Sequence, residues 1–253
     1  MSSNTIALIT GGNRGLGRAT ALALAGADTD VIVTYRSNKD EAADVVDAVT
    51  ALGRKAVALE LDTTAFDTFP AFEAEVRAAL DTTWGRDSFD FLVNNAGVAA
   101  FTPLGGTTVE AFDLLVNVHF KGVLFLTQTL LPLLADGGRI VNLSTGLTRF
   151  VGDGWSVYAS VKSAIETWSK YLAKELGGRG ISVNAIAPGP VATDFGGGAI
   201  RDDEQIRELF AGRTALGRVG DAEDIGGAIA ALLAPGTHWI TGQRIEASGG
   251  TLL

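Results

Sequence analysis

Short runs of β-branched residues alternate with longer segments of helical period along the whole chain, and that alternation admits few folds. Seven runs have strand character: Ile6 to Thr10, Val31 to Tyr35, Ala56 to Leu61, Phe91 to Asn94, Arg139 to Ser144, Ile181 to Ile186 and Gln243 to Glu246. Between them, Arg18 to Ala25, Asp40 to Leu52, Phe66 to Leu80, Val109 to Leu134, Val157 to Leu176 and Ala222 to Leu233 have the length and apolar spacing of helices. Two neighbouring parallel strands need a long connection, and a helix supplies it while covering the sheet. The pattern predicts a doubly wound α/β fold, a mostly parallel seven-stranded sheet with helices on both faces. With 253 residues and no linker or repeat, the chain is expected to be a single domain over residues 1–253. Its loosest stretch is Gly196 to Asp203, inside a segment, residues 190–215, expected to act as a lid beside a pocket.

Charge and composition exclude several classes of partner. Lys and Arg total 20 against 29 Asp and Glu, a net charge of −9, which disfavours nucleic acid and other acidic partners. There is no cysteine and the only histidines are His119 and His238, so no metal site is expected. The start, Met1 to Thr5, is polar and lacks the pattern of a secretory signal, and no apolar run is expected to span a membrane. Cytoplasmic residence follows as the expectation.

The first strand ends in Thr10-Gly11-Gly12-Asn13-Arg14-Gly15-Leu16-Gly17, and a helix follows at once. Backbone N–H groups and a helix N-terminus then face outward, the arrangement that binds a pyrophosphate, while the glycines permit close approach. A site selecting NADH carries an acidic residue at the end of the second strand. Here that place holds Tyr35-Arg36-Ser37, and Arg36 with Arg14 offers positive charge to a ribose 2′-phosphate. The expected cofactor is NADP(H).

Tyr158 and Lys162 lie four residues apart, on one face of a helix. A cation beside a phenol favours the phenolate and moves its pKa toward the working range of an acid–base catalyst. Ser144 ends the fifth strand, where ligands collect in open α/β sheets, and its hydroxyl is expected to hold a substrate oxygen.

With these motifs in order, the sequence resembles the short-chain dehydrogenase/reductase family in its single-domain, Rossmann-type form. The likeness covers essentially the whole chain. It is carried by the glycine loop, Asn94-Asn95-Ala96-Gly97 after the fourth strand, Asn117 in the long helix, Ser144, Tyr158 with Lys162, and Pro188-Gly189 after the sixth strand. The resemblance implies that Tyr158 protonates a carbonyl, Ser144 orients it, Lys162 binds the nicotinamide ribose and lowers the tyrosine pKa, and Asn117 holds a relay water. It implies cofactor contacts from Gly11, Asn13, Arg14, Gly15, Leu16, Gly17, Arg36, Ser37, Asp62, Thr63, Asn94, Ala96 and Gly97. It adds Tyr158, Lys162, Pro188, Gly189, Val191 and Thr193 at the nicotinamide end.

Ile240-Thr241-Gly242-Gln243 and Ala247-Ser248-Gly249-Gly250 resemble the pattern of the family's tetrameric reductases, which implies a homotetramer. The apolar helix Val116 to Leu134 is by itself equally a core helix or an interface.

The general likeness is to 3-oxoacyl-carrier-protein reductases and related ketone reductases. An acidic carrier protein calls for a basic docking patch, and Leu134-Ala135-Asp136-Gly137-Gly138-Arg139 with Lys174 offers little charge. A carrier-protein partner is therefore less favoured than a free ketone. Phe150, Val151, Trp155 and Phe195 fall where the family builds its substrate pocket, although each also suits core packing. Two other classes fit the sequence less well: an NADPH sensor without turnover, against which all four catalytic positions speak, and a nucleotide-sugar epimerase or dehydratase, for whose larger substrate domain there is no room.

Overall fold

In the computed structural model, which describes residues 5–253, β1 (Thr5–Ile9), β2 (Thr29–Tyr35) and β3 (Ala56–Glu60) are joined by α1 (Gly15–Gly26) and α2 (Lys39–Ala51). The polar start Met1–Asn4 lies outside the described residues. After α3 (Phe69–Trp84) come β4 (Phe89–Asn94), α4 (Val109–Val116), α5 (Gly122–Leu130) and β5 (Leu134–Leu143). The chain continues through α6 (Ser156–Leu176), β6 (Ser182–Pro188), α7 (Ala199–Asp202), α8 (Glu204–Ala211), α9 (Ala222–Leu233) and β7 (Arg244–Ala247).

All six strand pairings are parallel, in the order β3-β2-β1-β4-β5-β6-β7. The order reverses direction between β1 and β4. At such a switch point the loops leaving the carboxyl ends of neighbouring strands diverge and leave a crevice.

Side chains alternate across the sheet because successive strand residues point to opposite faces. Ile6, Leu8, Ile32 and Leu92 pack with residues of α3, α5 and α6, including Phe72, Leu130 and Leu172. Ala7, Ile9, Val31 and Val33 pack on the other face with Leu24, Val45 and Ile229 of α1, α2 and α9. A central strand such as β2, buried at all seven positions, is thereby read as an unbroken apolar run.

Two expectations change. The long helix expected over Val109 to Leu134 is interrupted by a π-helical turn, Asn117–Lys121, and ends in a 3-10 turn, while the fifth strand begins at Leu134 rather than Arg139. Taken together, Val109–Leu133 is long and apolar enough, by length and composition only, to cross a membrane, although Glu110, Asp113 and Lys121 interrupt it. Its residues Leu115, Leu126, Leu130 and Leu133 are buried in the protein.

The segment expected to be loose is also more ordered in form than anticipated. Gly196, Gly197 and Gly198 all have positive φ (66°, 80° and 79°), a run that other residues adopt at a steric cost, and α7 and α8 follow directly.

Candidate active site

The crevice above β1 and β4 opens into a cavity of about 850 Å³ that runs from Arg36 and Asn38 at one end to Phe195 and Phe210 at the other. Its first part is backbone. Gly11 and Gly15 have φ of +62° and +52°, so the chain turns sharply into α1. Gly17 lies behind the wall: a Cβ there would stand 2.2 Å from the Gly11 carbonyl oxygen and 2.6 Å from Asn95 Nδ2. Asn95 holds this arrangement by donating to the Thr10 and Gly11 carbonyls at 2.8 and 3.0 Å.

Of the residues expected to meet a cofactor, Gly11, Asn13, Arg14, Gly15, Leu16, Arg36, Ser37, Asp62, Thr63, Ala96, Gly97, Pro188, Gly189, Val191 and Thr193 line this cavity, as do Tyr158 and Lys162. Asn13 spends its amide on Glu41, 2.6 Å away. Arg14 and Arg36 are exposed at the rim and form no ion pair among the described residues. Burial opposes the Asp62 carboxylate, but hydrogen bonds from the Thr64 hydroxyl and N–H, at 2.7 and 2.8 Å, and the Arg36 charge hold its pKa below the usual value.

The expectation at Asn94 is corrected. Its side chain turns into the sheet, donating to Asn142 Oδ1 at 2.8 Å and Thr127 Oγ1 at 3.0 Å, and the next residue, Asn95, faces the cavity instead. One step along an extended chain reverses the facing.

At the far end α6 presents Tyr158 and Lys162 on one face, both almost wholly buried, with Nζ 5.8 Å from the phenol ring centroid. The Tyr158 ring meets His119 edge-on at 5.2 Å, Trp155 at 5.7 Å and Phe195 at 5.9 Å; Phe101 extends the aromatic wall from Trp155 at 6.5 Å. Lys162 donates to the Leu143 carbonyl at 2.6 Å, and burial lowers its pKa to about 7.

The expected lowering of the Tyr158 pKa does not appear in the protein without ligand. Burial raises it well above the ordinary value, and a hydrogen bond with the Thr145 side chain only partly offsets this. A lysine titrating near neutrality is too weakly charged to reverse that effect.

A glycine turn, a strand-end hydroxyl and a Tyr–Lys pair thus meet in one cavity. The family model for enoyl-(acyl carrier protein) reductase matches residues 11–251 of the chain. The chain belongs to the short-chain dehydrogenase/reductase family.

Among relatives in this family, hydroxynaphthalene reductase of Aspergillus fumigatus is 33% identical over 251 residues, covering 95% of this chain and 90% of that protein. The promiscuous reductase LugOII, which catalyses keto-reduction at C1 in lugdunomycin biosynthesis, has a TM-score of 0.93 at 35% identity, covering 98% of each chain. The angucycline C-6 ketoreductase LanV, solved with bound NADP, has a TM-score of 0.92 at 34% identity, covering 98% of this chain and 95% of that one.

In this member of the short-chain dehydrogenase/reductase family, the remaining two residues expected at the chemistry are Ser144 and Asn117. Ser144 is buried and lines the cavity, but its hydroxyl is already donated to Glu166 Oε1 at 2.5 Å. The hydroxyl that meets Tyr158 belongs to Thr145.

Asn117 is half-buried and does not line the cavity; Val118 and His119 of the same π turn do. In the sequence, His119 stands out only as one of two histidines too few for a metal site. Its Nε2 lies 2.7 Å from the Val98 carbonyl and 3.3 Å from the Val98 backbone nitrogen, and Nδ1 has no partner among the described residues. Burial, then the Lys162 charge, hold the His119 pKa well below its usual value despite the bond to Val98, and the ring is neutral.

Phe150, Val151, Trp155 and Phe195, expected at the substrate pocket, all line this end.

Proposed function

We propose that this oxidoreductase uses NADPH to reduce an aromatic, fused-ring ketone to the secondary alcohol. The observation that carries this reading is the Tyr158, Thr145 and Lys162 cluster set under an aromatic wall at the end of the cavity remote from Arg36. The backbone turn through Gly11 and Gly15, which packs so closely on Gly17 that a Cβ there would clash, suits a dinucleotide, with Arg14 and Arg36 placed for a 2′-phosphate. NADP bound to LanV and to a Burkholderia cenocepacia short-chain dehydrogenase supports the same cofactor here. Similarity to a hydroxynaphthalene reductase and to an angucycline ketoreductase supports an aromatic substrate.

When bound, the reduced nicotinamide supplies the hydride. The chain's own groups manage the oxygen: Thr145 donates a hydrogen bond to the carbonyl, and Tyr158, held as a neutral phenol by burial, gives it a proton. Lys162 stands beside the phenol to stabilise the phenolate left behind, and residues 190–215 close over the ketone as a lid. Cytoplasmic residence and a homotetramer belong to this reading; exposed Phe112, Phe125 and Tyr171 supply apolar surface for self-association.

The reading is tested by initial rates of NADPH consumption with a naphthol-derived or aryl alkyl ketone beside an acetoacetyl thioester. Faster turnover of the aromatic ketone is expected. A preference for the thioester would move the assignment to 3-oxoacyl reduction, and no turnover with either would favour a sensor. In the same assay Arg36→Asp should move the NADPH-to-NADH ratio of kcat/KM toward NADH at least tenfold, equivalent to about 1.4 kcal/mol. An unchanged ratio would remove Arg36 from cofactor selection.

Adjacent hydroxyls separate the two candidates for the orienting role. Thr145→Val should lower kcat about a hundredfold, the usual cost of losing one donor to a developing oxyanion, with Thr145→Ser restoring most of it. Ser144→Ala should keep most turnover, since that hydroxyl is bound to Glu166. The reverse ranking of the two variants would return the role to Ser144.

A further inference from the structure

Leu252 has a φ of +52°, a region a bulky side chain adopts only when its surroundings enforce it, and it lines the cavity at 43% exposure. Both sides of the residue are held. Its N–H donates to the Arg213 carbonyl at 2.9 Å, and its own carbonyl accepts from Arg149 Nη1 at 3.0 Å. Arg149 Nη2 also bonds the Thr251 carbonyl. The same guanidinium forks onto Glu246 of β7, with Nε–Oε2 and Nη2–Oε1 both 2.8 Å, so its orientation is fixed before it reaches the Ser248–Leu252 segment.

That segment also fastens the chain leaving α8. Gly249 and Gly250 accept hydrogen bonds from Leu216 and Ala215, and the Thr251 and Thr214 hydroxyls meet at 3.0 Å. Glu246 is shared further: Arg244 bonds it at 3.0 Å while also reaching Glu166 at 2.8 Å and the Thr145 carbonyl at 3.3 Å. One ion-pair chain therefore runs from the hydroxyl residue at Tyr158 to a strained leucine in the cavity wall. β7 is the sheet edge opposite β3, so this wall belongs to the ketone end and not to the end carrying Arg36.

We propose that Leu252 is a specificity-determining residue, held against the ketone by the Arg149–Glu246 fork so that it limits the size of the ring system admitted. This rests on the reductase reading above. Arg149 is a positioning residue in it, acting through the backbone of residues 251 and 252. Lysine cannot replace it, because one ammonium cannot serve a carboxylate fork and two carbonyls together.

The test compares wild type, Leu252→Ala, Arg149→Met and Arg149→Lys on a compact aryl ketone and a three-ring ketone, with hydrogen exchange of the ligand-free proteins. Leu252→Ala should raise the ratio of kcat/KM for the large over the compact ketone about tenfold, the effect of a few methylenes in an apolar pocket. Arg149→Met and Arg149→Lys should shift the ratio in the same direction and speed exchange at residues 249–252 and 213–216. A ratio unchanged in Leu252→Ala, or wild-type exchange in Arg149→Met, overturns the proposal. A loss that is equal for both ketones in Arg149→Met also overturns it, since that is the mark of general damage. Should wild type reduce no ketone at all, the functional reading fails, while exchange still reports whether Arg149 clamps the segment.

Discussion

Tyr158→Phe is expected to lower kcat about a thousandfold, within the range of about 10² to 10⁴ for loss of a positioned general acid, while NADPH binding stays within about twofold. The substitution removes one oxygen and keeps the ring that packs against His119, Trp155 and Phe195. Burial lifts the pKa of the phenol, so at neutral pH the resting group carries the proton that a reductase must deliver. The lost hydroxyl also leaves the Thr145 side chain without that partner, so the carbonyl loses its acid and part of its positioning together. Cofactor titration by fluorescence and single-turnover rates separate binding from chemistry. A variant that turned over like wild type would remove Tyr158 from the mechanism; one that lost cofactor affinity in proportion to rate would make it a binding residue.

The fold was legible because burial on both faces of a parallel sheet leaves an unmistakable pattern. β2 is buried throughout, and the helices that cover it repeat apolar residues on one side. The glycine loop was legible for a similar reason: its residues are dictated by backbone geometry within the loop itself, as the positive φ of Gly11 and Gly15 shows.

What failed to transfer was side-chain facing at single-residue resolution. Ser144 and Thr145 are adjacent hydroxyls leaving a strand, and only the position of Glu166, on a helix remote in sequence, decides which of them is drawn backward. Asn94 and Asn95 pose the same ambiguity, settled by Asn142 and Thr127. Asn117 and His119 pose a different one. A π turn holds more residues than an α turn and shifts the facing of the side chains in it, so that Val118 and His119 line the cavity and Asn117 does not. Apolar periodicity carries no sign of that extra residue.

Lys162→Met should do two opposed things: cost turnover at least a hundredfold and make the protein more stable below neutral pH. The lysine is buried, and its pKa falls from 10.5 to about 7. In the pH interval between those values the unfolded chain holds a proton that the folded one has released, so stability rises with pH across it. The penalty is fully present below about pH 7, where both states are protonated but only the folded one confines the charge, and it is gone above about pH 10.5.

At 1.36 kcal/mol per pH unit, a drop of that size sets a ceiling of roughly 5 kcal/mol on what methionine recovers. The Leu143 carbonyl then loses its donor, which subtracts about 1–3 kcal/mol. A net gain of at most about 2–4 kcal/mol at pH 6 remains, shrinking toward zero or below by pH 10. Urea unfolding of both proteins at pH 6, 8 and 10 reads this directly. Parallel stability curves would mean that the lysine does not titrate in the interior, and a catalytic loss without the pH-dependent gain would make its role steric. With both effects present, the site holds a charge that the fold alone would exclude, and the loss of turnover on its removal is what accounts for its being there.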